Sequence, residues 1–361
     1  MNTVLVRSSA WISRVDNSST RWMERLESCS VARLRGPVRH SGIAKVASGS
    51  RKRSRTFDKS RDTGLSNPLC GSDPQKEEDI SSAIPIRGIN GDLPENHAGN
   101  KSAYMFEATP IQVGDTLYVC SPRDIVIALD ADTGKERWRH DPKVDATGVV
   151  MLVCRGVAYH EAHGAVPDCP KRILVATVDA RMIALDAATG ARCQSFGHNG
   201  EISLRVNLGE VTPGFQFVTS PATVVGDAAI VGGFVLDGVS THMPSGVVRA
   251  FDAITGRELW GWDAARPAEL GPLKPGEIYP RGSPNAWTLF SADPALGLVY
   301  IPTGNATPDF YGEQRPATFD RFSSSVVALE AVTGKLRWSF QTAHHDLWDY
   351  DVGSQPVLVD L

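Results

Sequence analysis

The chain has 361 residues, of which 42% are hydrophobic and 22% are charged, a composition typical of a soluble globular protein with a sizeable core. Its formal net charge of -4 argues against a nucleic-acid-binding protein, which would present a basic surface. The longest apolar run, Val149–Cys154, is far too short to cross a bilayer, so the sequence predicts no transmembrane helix.

The first part of the chain, residues 1–79, differs in character from the rest. It is rich in Arg and Ser, as in SRKRSRTFDKSRDTG at Ser50–Gly64, and its few apolar residues follow no core-forming period. Low hydrophobicity and scattered positive charge predict disorder. An organelle transit peptide is one alternative, and a segment that is not native-like, from a mis-assigned start or a shifted reading frame, is another. We expect the folded domain to occupy residues 80–361.

From about Glu107 the chain alternates short apolar runs with turns rich in Gly, Asp and Pro. The runs TLYVCS, IVIALD, ILVATV, MIALD, AAIVGGFV, VVRAFD, LVYIPTG and SVVALE are rich in Val, Ile, Leu and Tyr. Their length and spacing predict strands of an all-β sandwich, barrel or propeller. No competing stretch has the length of an amphipathic helix, so the predicted fold class is all-β.

A repeated eleven-residue unit narrows this fold class to one architecture. Its four copies read ALDADTGKERW, ALDAATGARCQ, AFDAITGRELW and ALEAVTGKLRW, and they begin at Ala128, Ala184, Ala250 and Ala328. The acidic residue can accept backbone N–H bonds in a turn, and the Gly takes a positive φ without steric cost. The next strand then carries a Trp that can dock between neighbouring blades, although the second copy has Gln194 there. Radial repetition of this kind predicts a β-propeller.

Two of the six cysteines lie close together in the sequence. Cys154 and Cys169 could close a short disulfide loop in an oxidising compartment, or they could be buried free thiols. Their spacing alone does not decide between these alternatives.

The eleven-residue repeat resembles the tryptophan-docking motif of quinoprotein alcohol dehydrogenases, which are eight-bladed propellers that hold pyrroloquinoline quinone (PQQ) and calcium on their axis. The segments FEATPIQVGDTLYVC, CRGVAYHE, PDCPKR, PTGNATPDFYG and QTAHHDLWDYDV are similar to the membrane-bound branch that oxidises glucose, quinate or related polyols. The resemblance covers Glu107 to Leu361 and implies a partial wheel of about four blades, with further blades beyond Leu361. It also favours a disulfide between Cys154 and Cys169, which match a pair in the glucose-type branch.

The resemblance implies a cofactor site. Four residues match positions that contact the quinone, namely Glu107 in FEATP, Arg155 in CRGVAYHE, Thr219 in TSP and Trp287 in SPNAWTLF. A rigid guanidinium fork suits a cofactor carboxylate, and an indole can stack beneath a planar ring. His160, in the same motif as Arg155, matches a histidine near the substrate, with a structural histidine as the alternative.

The resemblance also implies a base and a metal site. Asp349, in the motif HHDLWDYDV (His344–Val352), matches the catalytic base. Asp351 has the same strand parity and is expected to point to the same side, where both would help to bind a metal. Asn305 in PTGN matches an amide-oxygen calcium ligand, and Asp237 falls where a calcium-binding glutamate lies in the methanol-type branch. Oxygen ligands suit calcium, and in the glucose-type branch the D-x-D pattern goes with calcium or magnesium.

The function implied is oxidation of a sugar or polyol such as glucose, quinate or shikimate, with hydride transfer to PQQ and a carboxylate taking the hydroxyl proton. The resemblance further implies ubiquinone as electron acceptor and a periplasmic propeller associated with the inner membrane, although the sequence shows neither a signal nor an anchor. Two alternatives stand beside this reading. One is a catalytically inactive propeller fragment, and the other is a non-enzymatic propeller that binds proteins.

Overall fold

The computed structural model of the chain describes residues 103–359, which fall within one compact unit. The Arg/Ser-rich segment 1–79, and the disorder expected for it, lie outside the described residues. Nearly all regular structure in residues 103–359 is β-strand, which confirms the predicted all-β class. No helix in this part of the chain is long and apolar enough to span a membrane.

The strands of residues 103–359 are numbered here in chain order. The first seven are β1 (Ala103–Met105), β2 (Ile111–Val113), β3 (Thr116–Cys120), β4 (Val126–Asp130), β5 (Glu136–His140), β6 (Met151–Val153) and β7 (Ala158–Glu161). The next seven are β8 (Lys171–Ala176), β9 (Arg181–Asp186), β10 (Glu201–Ser203), β11 (Gln216–Phe217), β12 (Thr223–Val225), β13 (Ala228–Val231) and β14 (Phe234–Val235). The remaining strands are β15 (Val248–Asp252), β16 (Glu258–Trp262), β17 (Ser291–Asp293), β18 (Leu298–Pro302), β19 (Ser325–Glu330) and β20 (Leu336–Gln341). A short helix, α1 (Ala317–Phe322), precedes β19.

Within residues 103–359, four sheets each contain four antiparallel strands. Their strand orders are β2-β3-β4-β5, β10-β9-β8-β7, β12-β13-β15-β16 and β17-β18-β19-β20. Two shorter pairs join distant segments, β1 with β6 in parallel and β11 with β14 in antiparallel orientation. Three of these sheets are built from consecutive strands, and the sheet β12-β13-β15-β16 omits only β14. Each is therefore an up-and-down unit of the kind that propellers repeat.

Each copy of the repeat spans the turn that follows the third strand of a large sheet, namely β4, β9, β15 or β19. In the first, third and fourth copies, the initial Ala pairs directly with the Trp ten residues later, as in Ala128 with Trp138. The indole of Trp138 donates to Ala187 O at 3.0 Å, in the second copy. A Cβ added to Gly190 of that copy would lie 2.5 Å from the indole ring. Gly190 therefore serves two purposes, since its positive φ of 72° turns the chain and its missing side chain leaves room for Trp138.

The tryptophan of the third copy docks on the fourth copy in the same way, whereas the second copy has no tryptophan to dock on the third. Trp260 donates to Ala331 O at 3.0 Å, and a Cβ on Gly334 would lie 2.6 Å from its ring. Behind the second copy, where Gln194 stands in place of Trp, a Cβ on Gly256 would instead meet the side chain of Ile202 at 2.7 Å. The predicted docking of tryptophans between neighbouring units is confirmed for Trp138 and Trp260.

Apolar clusters fill the spaces between successive sheets. One joins the first and second large sheets, and includes Tyr118, Trp138, Ile173 and Leu185. A second joins the second and third sheets, and a third joins the third and fourth through residues that include Trp260. The core is thus divided among the interfaces between faces of adjacent sheets, as radial packing requires.

The structure contains two disulfides in the described region, Cys120–Cys154 and Cys169–Cys193. The expected bond between Cys154 and Cys169 is therefore wrong, although both residues are oxidised. Cys154 precedes β7 and Cys169 lies in the loop beyond its far end, so the strand carries the two residues apart. Cys154 instead meets the end of β3 in the neighbouring sheet, and Cys169 meets the turn of the second repeat.

Candidate active site

The four predicted cofactor residues occupy equivalent places in the fold. Glu107, Arg155, Thr219 and Trp287 lie in the segments that lead into β2, β7, β12 and β17. These strands are edge strands at the start of the four large sheets. Four separate units of the fold therefore contribute one residue each.

Arg155 connects these residues into one cluster. Its Nη2 lies 3.0 Å from Glu107 Oε2, and its Nη1 donates to Thr219 Oγ1 at 2.6 Å. The guanidinium carbon also lies 5.0 Å from the ring centroid of Trp287, a cation–π distance. Burial lowers the pKa of Arg155, and the charge of Glu107 opposes this effect. The cluster presents a charged fork and an indole side by side.

A second cluster consists of carboxylates. Asp237, Asp349 and Asp351 each place a carboxylate oxygen so that these oxygens all lie within 4.8 Å of one another. Burial raises the pKa of Asp351 to about 6, with further contributions from the charges of Asp349 and Asp237. Burial also raises the pKa of Asp237 and of Asp349. Without a cation among them, these groups hold protons more tightly than ordinary aspartates.

The two clusters meet at Trp287. Its indole Nε1 donates to Asp351 Oδ2 at 2.7 Å, while the backbone N–H of Asn305 donates to Asp351 Oδ1 at 2.7 Å. Both oxygens of Asp351 are therefore held in place, and the carboxylate lies beside the indole that stacks against Arg155.

The motif HHDLWDYDV reaches this cluster by a different route from the one expected. Residues 346–356 form no strand, so the predicted strand parity of Asp349 and Asp351 is wrong. The loop is organised by Asp346, which is fully buried and accepts bonds from Trp348 N at 2.9 Å and Tyr350 N at 2.7 Å. Asp349 itself has a φ of 63°, in the left-handed region. The two aspartates converge because the loop curls around Asp346.

Two residues that the sequence did not single out also belong to this cluster. Asp309 is buried at 2% exposure, and burial together with the charges of Asp237, Asp349 and Asp351 raises its pKa to about 8. Asn285 is fully buried, and its Nδ2 donates to Asp237 Oδ2 at 2.9 Å. The sequence offered two signals for these residues. Asp309 is the acid in PTGNATPDFYG, and Asn285 is the amide in SPNAW, two residues before Trp287.

Asn305 is close to the cluster, but its amide group already has partners. Its Nδ2 donates to Asp309 O at 3.2 Å and to Asp346 O at 3.1 Å, and its Oδ1 accepts from Ala306 N at 3.0 Å. In this structure the side chain clamps two loops together. Its contact with the carboxylates is made through the backbone N–H to Asp351.

His160 is placed elsewhere. It is buried in β7, and its Nε2 lies 2.7 Å from Asp227 Oδ1, in the turn between β12 and β13. Its Nδ1 is buried without a hydrogen-bond partner. The structure does not bring His160 into contact with the carboxylates, so the substrate-side role expected for it gains no support from this placement.

Residues 89–361 match the model of the family described as PQQ: glucose/ethanol/alcohol dehydrogenase, beta-propeller domain. The chain is 43% identical over 299 residues to the glycerol dehydrogenase large subunit of Gluconobacter oxydans, which covers 82% of this chain and 40% of that protein. It is 42% identical over 272 residues to the quinate/shikimate dehydrogenase (quinone) of Acinetobacter baylyi, covering 70% of this chain and 33% of that protein.

Among solved structures, quinohemoprotein alcohol dehydrogenase ADHIIG from Pseudomonas putida superposes with a TM-score of 0.55 and 29% identity, over 70% of this chain and 36% of that one. The chain thus spans less than half the length of each of these three relatives. The family match extends over most of the chain, and the fold agrees with it. The chain therefore belongs to the PQQ-type glucose, ethanol and alcohol dehydrogenase β-propeller family.

Proposed function

We propose that this chain carries the core of a quinone-linked dehydrogenase that oxidises a hydroxyl group of a sugar or polyol, with PQQ and a divalent cation, calcium or magnesium. One observation carries the proposal, namely that Trp287 joins the Arg155 cluster to the converging carboxylates through its bond to Asp351. The names of the glycerol and quinate/shikimate dehydrogenases support a polyhydroxylated substrate.

The donor set fits a hard divalent cation. Asp237, Asp349 and Asp351 supply charged oxygens within 4.8 Å of one another, and Asn285 Oδ1 and Asp309 Oδ1 are buried oxygens without hydrogen-bond partners. Calcium and magnesium prefer oxygen ligands of this kind. A cation would oppose both the burial and the charge repulsion that raise the pKa values of these aspartates.

The Arg155 cluster fits a flat, anionic cofactor. Arg155 can form charge-assisted hydrogen bonds to a carboxylate, and Thr219 offers a hydroxyl beside it. Trp287 offers an aromatic face. The bound quinone would supply the two-electron acceptor, and the cation would supply Lewis acidity.

We assign Asp349 the role of general base. It is the most exposed of the three converging carboxylates, so a substrate hydroxyl can reach it while Asp237 and Asp351 remain engaged with Asn285 and Trp287. A neighbouring cation would lower the pKa of Asp349 and keep the carboxylate ionised, as a base at neutral pH must be.

Electron transfer to ubiquinone, and a periplasmic location at the inner membrane, are part of the same proposal. The name of the Acinetobacter relative, quinate/shikimate dehydrogenase (quinone), supports a quinone as the electron acceptor. A propeller that only binds proteins does not account for buried carboxylates converging beside an indole and an arginine.

The test is reconstitution of the full chain with PQQ and calcium, followed by isothermal titration of PQQ and dye-linked oxidation of glucose, glycerol, quinate and shikimate. We expect calcium-dependent PQQ binding and oxidation of at least one polyol. Exchange of the exposed Asp132 for Asn provides a control, since that carboxylate lies outside the site. Absence of PQQ binding in the presence of calcium would overturn the proposal.

A further inference from the structure

We propose that the disulfide between Cys120 and Cys154 is a positioning element of the cofactor cluster, because it fixes the backbone that carries Arg155. The inference rests on the proposed function, in which Arg155 binds a flat, anionic cofactor. Its observations are the place of the two cysteines in the fold, the backbone hydrogen bonds of Arg155 and the burial of the arginine side chain.

The disulfide ends directly beside Arg155. Cys154 is the preceding residue in the chain, and Cys120 is the last residue of β3 in the first large sheet. β3 is paired on both sides, with β2 and with β4, and Cys120 itself pairs with Val126 of β4. The bond therefore ties the segment that carries Arg155 to a central strand of the neighbouring sheet.

Arg155 lies in a loop, since residues 154–157 connect β6 to β7. Its backbone N–H donates to Thr219 O at 2.9 Å, and its carbonyl oxygen accepts from Thr109 N at 3.0 Å. Thr109 lies in the segment that leads into β2, and Thr219 lies in the segment that leads into β12. The backbone of Arg155 therefore bridges the first and third large sheets. A covalent link one residue away restrains this bridge.

The side chain of Arg155 makes such a restraint valuable. It is only 12% exposed, and burial of the charged guanidinium is unfavourable, as the lowered pKa of Arg155 reflects. The contacts with Glu107 at 3.0 Å and Thr219 at 2.6 Å offset part of this cost. A released loop would let the guanidinium move towards water and lose both contacts. A fixed loop keeps it in place before the cofactor arrives, so less conformational entropy is lost on binding.

The disulfide itself is enclosed by the protein. Cys120 is 0% exposed and Cys154 is 3% exposed, and both belong to the apolar cluster between the first and second sheets. Thiol–disulfide exchange needs an attacking thiolate to reach one of the sulfur atoms. The bond is therefore a permanent restraint on the loop rather than a redox switch.

The second disulfide provides a matched control. Cys169 lies between β7 and β8 and Cys193 follows β9, so this bond closes a loop within the second sheet. The carbonyl oxygen of Cys169 accepts hydrogen bonds from Arg172, which lies outside the cofactor cluster. The two disulfides close loops of 34 and 24 residues, for which chain entropy predicts similar stabilisation. Loss of either bond should lower the unfolding temperature alike, whereas loss of the first alone should affect Arg155.

The test compares Cys120→Ala/Cys154→Ala and Cys169→Ala/Cys193→Ala with the wild type, using the full chain at a temperature where all three are folded. Isothermal titration measures PQQ affinity in the presence of calcium. We expect the first variant to bind PQQ about tenfold or more weakly, because its arginine is no longer held in position. The second variant is expected to stay within a factor of about two of the wild-type affinity.

Hydrogen exchange measured by mass spectrometry gives a second readout that needs no cofactor. It compares the amides of Arg155 and Thr109, which donate the two backbone hydrogen bonds of the loop, with the amides of the core strand β19. A general loss of stability speeds exchange at both places, whereas local release of the loop changes their ratio. We expect this ratio to rise about tenfold or more without Cys120–Cys154 and to stay unchanged without Cys169–Cys193.

Wild-type PQQ affinity in folded Cys120→Ala/Cys154→Ala would overturn the inference, as would equal losses of affinity in the two disulfide variants. If that variant does not fold, exchange in the wild type decides, since the amides of Arg155 and Thr109 must then be protected as strongly as those of β19. Faster local exchange there would overturn the inference. Failure of the wild type to bind PQQ would overturn the proposed function, whereas wild-type binding that does not depend on Cys120–Cys154 would overturn the inference alone.

Discussion

The indole Nε1 of Trp287 donates a hydrogen bond of 2.7 Å to Asp351 Oδ2. This bond joins an aromatic face, against which Arg155 stacks, to a group of carboxylates that otherwise repel one another. Because Asp351 also accepts from the backbone of Asn305, its carboxylate is held in one orientation. The relationship explains how two clusters on different loops form one site.

Exchange of Trp287 for Phe removes the donor and keeps an aromatic ring. A hydrogen bond to a charged acceptor contributes about 1.5–3 kcal/mol, and its loss disfavours the ionised form of Asp351. We therefore expect weaker calcium binding at neutral pH, measured by isothermal titration. Trp338→Phe, at an exposed repeat position, is the matched control. Unaltered calcium affinity in Trp287→Phe would show that the bond does not support the carboxylate cluster.

The small space above Gly304 provides a second prediction. Gly304→Ala places a methyl group less than 3 Å from Asn285 Oδ1 and from both oxygens of Asp351, so these oxygens must move. We expect loss of calcium binding in the titration. Gly271→Ala is the control, since a Cβ there has nothing within 4 Å. Wild-type affinity in Gly304→Ala would mean that these oxygens do not form the cation site.

The raised pKa values predict how pH affects the metal-free protein. The pKa of Asp309 is raised to about 8 from an ordinary 3.8, mainly by burial, and that of Asp351 is raised to about 6. The folded state therefore binds more protons than the unfolded chain above about pH 4, and its free energy of unfolding falls as the pH rises towards about 8. Calcium should reverse most of this loss, because it replaces the protons.

Thermal unfolding in EDTA across this pH range measures the effect. Asp309→Asn is the informative variant, because the side chain of Asp309 forms a hydrogen bond with that of Asp237. An amide can still donate this bond but cannot ionise. We expect the pH dependence of its unfolding temperature to be shallower than that of the wild type. Equal slopes would show that Asp309 does not hold its proton in the folded state.

The two disulfides should stabilise the fold independently. Cys120–Cys154 and Cys169–Cys193 span 34 and 24 residues, for which chain entropy predicts about 3–4 kcal/mol each. Reduction should lower the free energy of unfolding in urea by amounts of this order. Peptide mapping of the unreduced protein is expected to recover these two links, and a Cys154–Cys169 peptide would contradict them.

The fold could be predicted from the sequence because its repeat specifies both a local hairpin turn and a contact with the neighbouring sheet. The Thr-Gly turn defines a hairpin, and a Trp at a constant offset needs a neighbouring turn on which to dock, as Trp138 does on Gly190. The match of Glu107, Arg155 and Trp287 to a family motif identified residues that the structure brings together.

The remaining features depend on how loops fold, which no period in the sequence encodes. The prediction that Asp349 and Asp351 lie on one face of a strand was wrong. Their segment is a loop, because Asp346 accepts hydrogen bonds from the backbone N–H groups of Trp348 and Tyr350. Asp309 and Asn285 were missed because their importance comes from burial beside other polar groups. The Cys154–Cys169 bond that the resemblance favoured does not form, because β7 separates these two residues and each pairs with another cysteine.

A paired measurement of cofactor affinity and turnover tests whether Asp349 acts as the base beside a bound quinone and cation. Asp349→Asn and the wild type are loaded with PQQ and calcium, and PQQ affinity and turnover of the best polyol are measured on the same preparations. We expect turnover of Asp349→Asn to fall about 10²-fold or more while its PQQ affinity stays within a factor of about three of the wild-type value. Turnover that remains near the wild-type value would contradict the assignment of Asp349 as the base.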